Sequence, residues 1–242
     1  MAIESKISRR TLVASVAGLA GGFVPALASS ARVRLTLAAG SIEIDLFTAQ
    51  APLSAGDFLK YVDRRDYDGG SISRVVRQNN DHGHPPIQVI QGGIRDNAKQ
   101  YPPIAHETTR RTGLRHLDGT ISIPRDKPGT GSGAAFFICI GSQPALDFGG
   151  QRNPDGQGFA AFGRVSRGME LVRAVWQTDS SGPSDDPYTR GQMLKHPIRI
   201  LAAARIAEGP DGTRPDDWGR KVDRFNNTLT SKDKNNISWS DR

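Results

Sequence analysis

A chain of 242 residues that is 36% hydrophobic and 24% charged can bury one sizeable core and still leave tails, so a single domain is expected. Its net charge of +7 comes from Lys and Arg scattered without a run, which argues against a dedicated nucleic-acid surface. Its one cysteine, Cys139, excludes an intrachain disulfide, C-x-x-C redox chemistry and any multi-cysteine zinc site; inside an apolar run it suits a small buried hydrophobe.

The first 28 residues read as an export signal. Ser8-Arg9-Arg10-Thr11-Leu12 precedes an apolar run to Leu27, which closes on Ala26-Leu27-Ala28. The paired arginines match the twin-arginine type, with an ordinary Sec signal or an uncleaved anchor as the alternatives. Gly18, Gly21, Gly22 and Pro25 interrupt the run, so no stable membrane span is expected after processing, and the destination is the periplasm or the exterior. Removing Lys6, Arg9 and Arg10 along with Glu4 leaves a net charge of +5.

The domain proper is expected over residues 32–207. Val33, Leu35 and Leu37, then Ile42, Ile44 and Leu46, alternate with polar residues around Gly40, which predicts a β-hairpin. Pro52 can open a helix whose apolar face carries Ala55, Phe58, Leu59 and Val62. Strands are predicted near 71–77 and 87–92, separated by a polar insertion. His82 and His84 in that insertion have no third ligand in view and read as loop residues. The segment 119–141 joins two buried strands through a loop dense in Gly, Pro, Ser and Thr, and Ala135 to Ile140 is apolar throughout, as in a strand covered on both faces. A strand over 158–165 follows, then a helix capped by Ser166 with Met169, Val172, Val175 and Trp176 on one face, a loop over 179–191, and a last strand from Ile198 to Ile206. About eight strands and two helices without a βαβ rhythm suit antiparallel strands that close on themselves. Residues 208–242 form a polar tail, in which Trp218, Val222, Phe225 and Leu229 would share one face of a helix over 217–230; a docked helix and plain disorder both remain open.

The stretch GTISIPRDKPGTGSGAAFFICIG, together with SISRVVR and IQVIQGG, resembles the cyclophilin family of peptidyl-prolyl cis-trans isomerases, its bacterial branch in particular, in order and spacing from Val33 to Ile206. The resemblance implies a mainly β fold, a closed eight-stranded antiparallel barrel with a helix over each end. It also implies an isomerase acting on X-Pro bonds of polypeptides, without metal or cofactor. Carried over by position, Arg74 is the catalytic cation, Gln91 orients it and the substrate carbonyl, Phe137 floors the proline pocket, and Val89 and Leu146 are apolar walls.

Several positions depart from the family pattern. Gln88 stands where a pocket phenylalanine is usual, with Ile87 as the alternative occupant. Pro124-Arg125 replaces Ala-Asn, Ala135 replaces a glutamine, Ala145 replaces a tryptophan, and Phe159 stands for His or Tyr near the last wall. Losing two hydrogen bonds to substrate backbone, each worth about 0.5–1.5 kcal/mol, predicts reduced activity. The expected role is a monomeric folding helper for exported proteins; the alternative is a weak or inactive module that binds proline-containing segments. The Gly129–Gly133 run lacks a following Lys-Ser/Thr and is not a phosphate loop, and neither Ser132 nor Ser142 sits in a G-x-S-x-G elbow.

Overall fold

The computed structural model describes residues 31–206. The expected export signal and the tail with its possible helix over 217–230 lie outside the described residues. The hairpin pairs β1 (Ala31–Leu37) with β2 (Gly40–Leu46), and the alternation seen in the sequence puts Val33, Leu35, Ile42 and Ile44 inside. Next comes α1 (Pro52–Asp63), whose N-cap residue, Ala51, offers no side-chain acceptor. The deficit is met from a distant loop. The buried carboxylate of Glu107 accepts from the backbone N–H groups of Leu53 (3.2 Å) and Ser54 (2.7 Å) and from Ser54 Oγ (2.7 Å), and its charge also suits the positive end of the helix.

After α1 come β3 (Ser71–Val76) and β4 (Val89–Gly93). A short helix that the periodicity did not announce, α2 (Thr109–Thr112), precedes β5 (Thr120–Ile123) and β6 (Ala135–Cys139). The last elements are β7 (Ala160–Arg167), α3 (Met169–Trp176) and β8 (Met193–Ile206). The strands close into a barrel in the order β1-β2-β7-β5-β6-β4-β3-β8, every pairing antiparallel. Leu35, Ile72, Ile90, Ile121, Phe136 and Phe162 fill it.

The two longer helices plug opposite ends. At the start of β6, Phe58 of α1 packs edge-on against Phe136, and the α1 backbone approaches Gly133 so closely that an added Cβ would lie 2.5 Å from Phe58 N. Beyond the end of β6, Asp118 receives Gly141 N–H (2.6 Å) and Arg173 of α3 (2.6 Å), with Met169 over Gly119.

Three sequence expectations are corrected here. Ser166 does not cap α3, because β7 runs on through Arg167. The N-cap is Gly168, at φ 88°, and an added Cβ there would sit 2.5 Å from Ser41 O, so only glycine fits. The fourth strand starts at Val89 instead of Ile87. The last strand begins at Met193, earlier than expected, because it carries Pro197 within an irregularity in its pairing with β3 rather than at its start.

Candidate active site

Arg74 owes its outward aim to a backbone irregularity. In a regular strand it would share the parity of Ile72, which is wholly inside the barrel. Between these two residues the register of β3 shifts against both neighbours, β4 and β8. The bulge leaves Ser73 and Arg74 half-buried on the outer side, after which Val75 returns to the core and Val76 joins the outer face. The same alternation on β4 and β6 sends Ile90, Phe136 and Ile138 inward and Val89, Gln91, Phe137 and Cys139 outward.

That outer face is an apolar cluster in its own right. Val76, Ile87, Val89, Phe137, Cys139, Leu146 and Phe159 are buried together, with Phe159 edge-on to Phe137 at 5.5 Å between ring centroids. Above them opens a groove of about 510 Å³, within the size range of small-ligand sites. Its apolar floor ends at Arg74 and Gln91, and Arg125, Asp126 and Thr130 form part of its rim.

Five N–H donors leave the Arg74 guanidinium. Gln91 Oε1 accepts one from Nη1 (3.0 Å), while Gln192 Oε1 accepts from Nε (2.8 Å) and Nη2 (2.5 Å). The ring of Tyr188 lies 5.5 Å from Cζ. Burial draws the guanidinium pKa below its ordinary value, with Tyr188 opposing the shift, yet an arginine so placed keeps its proton.

The insertion over 78–86 holds this wall in place. Asp81 accepts from the backbone of Gly83 (3.0 Å) and Ile87 (2.8 Å) and takes both Arg152 nitrogens at 2.7 Å; Arg152 also donates to Pro85 O (2.9 Å) and to Tyr188 Oη (2.8 Å). Burial works to raise the Asp81 carboxyl, but Arg152 and the two backbone N–H groups prevail and hold it below the usual carboxylate range. His82 donates to Arg190 O (2.9 Å), as a loop residue would.

Behind the floor, His116 stacks on Phe137 at 5.9 Å. It hydrogen-bonds Asp147 through Nδ1 (2.8 Å) and Ser122 through Nε2 (3.0 Å). The spacing is that of a hydrolytic triad, but Ser122 is completely buried and His116 nearly so, so no substrate reaches the hydroxyl. The trio braces Phe137 and anchors the turn that carries Leu146. Asp147 is also held below the usual carboxylate range: burial opposes this, and the bonds from the His116 ring and backbone outweigh it.

Of the residues singled out in the sequence, Arg74, Gln91, Val89, Phe137, Leu146, Phe159 and Arg125 line the one groove. Arg125 is tied down there: it donates to Gly158 O (2.8 Å), chelates Asp155 (2.8 and 2.9 Å) and lies over the Phe159 ring at 5.4 Å. The bond from Arg125 lowers the Asp155 pKa to about 2. Gln88 is a correction: it has the parity of core residue Ile90, its backbone is spent on Gln143 and Ile140, and Ile87 lines the groove in its stead. Ala135 is a second correction. It has the parity of Phe137, but it sits beyond it, opposite Gly93, and a methyl is too short to reach the groove. Gln192, Tyr188 and Arg152 were missed because they come from distant loops with no local pattern.

The assembled site offers an anchored cation beside an apolar cup. Such a pairing can hold a small apolar ring and meet a developing lone pair or carbonyl oxygen with preorganised donors.

Residues 32–203 match the family described as cyclophilin type peptidyl-prolyl cis-trans isomerase/CLD. The chain is 36% identical over 185 residues to peptidyl-prolyl cis-trans isomerase A of Dickeya dadantii, covering 73% of this chain and 90% of that protein. It is 27% identical over 166 residues to a peptidyl-prolyl cis-trans isomerase of Acinetobacter baylyi, covering 67% and 79%. Among solved structures, the cyclophilin type isomerase of Cryptosporidium parvum crystallised in the presence of the dipeptide Ala-Pro superposes with a TM-score of 0.53 at 21% identity, over 73% of this chain and 99% of that one, a likeness of fold.

Proposed function

The chain belongs to the cyclophilin-type peptidyl-prolyl cis-trans isomerases, and on that premise we propose that the groove beside Arg74 is where it rotates X-Pro bonds. Rotation must break amide resonance, a barrier of about 18–20 kcal/mol for peptide bonds in general. In the twisted amide the nitrogen regains its lone pair. A cation placed to meet the twisted form better than the planar one lowers the barrier without a nucleophile or proton transfer. Arg74 supplies that cation, Gln91 orients it, and Phe137, Val89, Leu146, Ile87 and Phe159 seat the proline ring out of water.

One observation carries the reading: a guanidinium fixed by two neutral glutamine oxygens at the margin of an apolar cup. A carboxylate partner would quench the charge; a glutamine leaves it available. The test is cis-to-trans conversion of a short Ala-Pro peptide followed by protease coupling. Wild type is expected to be active and Arg74→Ala to lose about 10²-fold in turnover, the scale for removing one transition-state donor. A wild type that binds the peptide without accelerating conversion would make the domain a proline-segment binding module.

We further propose that the clients are polypeptides folding outside the cytoplasm. The support is the charged, apolar and A-x-A pattern of the first 28 residues. In this reading the protein works as a monomer, since closing the barrel pairs both edges of every described strand.

A further inference from the structure

Gln192 is fully buried and immobilised at each of its polar groups. Its backbone N–H donates to Thr189 O (3.0 Å) and its carbonyl accepts from Val75 N (2.9 Å), the residue after Arg74. Its side-chain Nε2 donates to Asn80 O (2.6 Å). With a carbonyl fixed against the NH₂ end, the amide has one orientation, and its oxygen must face Arg74. That oxygen takes the Nε and Nη2 donors, as one carboxylate oxygen could, but brings no charge.

We propose that Gln192 is a positioning residue for Arg74: it fixes the plane of the guanidinium and turns the remaining donors toward the groove without neutralising the cation. The proposal rests on the reading of Arg74 given above and adds to it a part contributed by the loop after α3. Three of the five N–H groups are held by Gln192 and Gln91. Tyr188, itself tied to Arg152, lies against the guanidinium. Rotation about the terminal Arg74 torsions is therefore blocked, and the donors not taken by the two glutamines keep one direction while the substrate amide turns.

Gln192→Leu removes the acceptor at similar volume. It is expected to lower kcat about tenfold with KM within twofold, because an interaction that orients a transition-state donor leaves ground-state binding alone. In a proton–nitrogen spectrum, the Arg74 Nε–H resonance should be protected from exchange in wild type and lost in the variant, with backbone resonances of the barrel unchanged. In an Arg74→Ala background, Gln192→Leu should cost less than twofold. Unchanged kcat with the Nε–H signal intact, or an equal loss in both backgrounds, overturns the proposal. Should Gln192→Leu fail to fold, Gln192→Met, likewise without an oxygen acceptor for Arg74, takes its place: kcat should fall about tenfold and the Nε–H signal should be lost, and undiminished kcat overturns the proposal. An inactive wild type, or a fully active Arg74→Ala, would refute the Arg74 reading instead, and the Nε–H signal would still decide whether Gln192 fixes the side chain.

Discussion

Asp81→Ala tests whether the insertion over 78–86 is a built wall or a loose loop. The Asp81 side chain has no exposed surface and that of Arg152 has 4%, so the pair is desolvated. Removing the carboxylate strands a buried guanidinium with only Pro85 O and Tyr188 Oη as partners, and frees the N–H groups of Gly83 and Ile87. Breaking a buried pair from one side costs about 3–5 kcal/mol, a large part of the roughly 5–15 kcal/mol that holds a domain together. At about 2–4 °C per kcal/mol for a domain of this size, the melting temperature should fall by about 10 °C. Urea denaturation gives the free energy, and the m-value should stay constant because the folded and unfolded surfaces hardly change. The companion variant, Asp81→Leu with Arg152→Met, removes both charges. It should recover to within about 2 kcal/mol of wild type, the residue being the two backbone N–H groups left without Asp81. A single variant within about 1 kcal/mol of wild type, or a double variant as unstable as the single, would refute the reasoning.

Acid should unfold the domain through its depressed carboxylates. Asp81, Asp147 and Asp155 all have folded pKa values below the ordinary 3.8, Asp155 at about 2, so each adds stability above that value and surrenders it as pH falls through the lowered one; the melting temperature should drop steeply between about pH 4 and pH 2, and a flat profile there would contradict the assignment. Ala135→Gln, set opposite Gly93 on the groove face, should reach past Phe137 and lower KM at nearly constant kcat, the mark of uniform binding; a change confined to kcat would place it elsewhere. A reporter fused after Ser30 should be exported, and changing Arg9 and Arg10 together to Lys should block it; continued export would assign the signal to the Sec route.

Periodicity revealed most of the barrel because its strands obey it. Val33, Leu35, Ile42 and Ile44 alternate in the sequence and face one core in the structure. It failed where backbone geometry overrides parity. Nothing in Ser71-Ile72-Ser73-Arg74 announces the bulge that turns Arg74 outward, so its place in the groove was reached through resemblance to a family. The helix at Thr109–Thr112 is too short to show a period, and Pro197 hid the first part of β8. Arg152 meets Asp81 and Tyr188, and Gln192 meets Arg74, across sequence gaps of dozens of residues, and no local pattern encodes such a meeting. For Gln88, two adjacent candidates stood at the end of an insertion, and only the pairing of β4 decided between them.

The strand β8 pairs with β3 through Arg199 and Ile198 and with β1 from Ile200 to Ile206, so one late segment closes the whole barrel. Both of its strand pairings join residues more than a hundred positions apart, which belongs to slow folding. Until Ile206 leaves the ribosome, β1 and β3 both present unpaired backbone to the surroundings, the kind of template on which chains stick together. A chain truncated at Gly191 is thus expected to aggregate rather than persist as a smaller barrel, and closure of the native barrel to follow synthesis rather than accompany it.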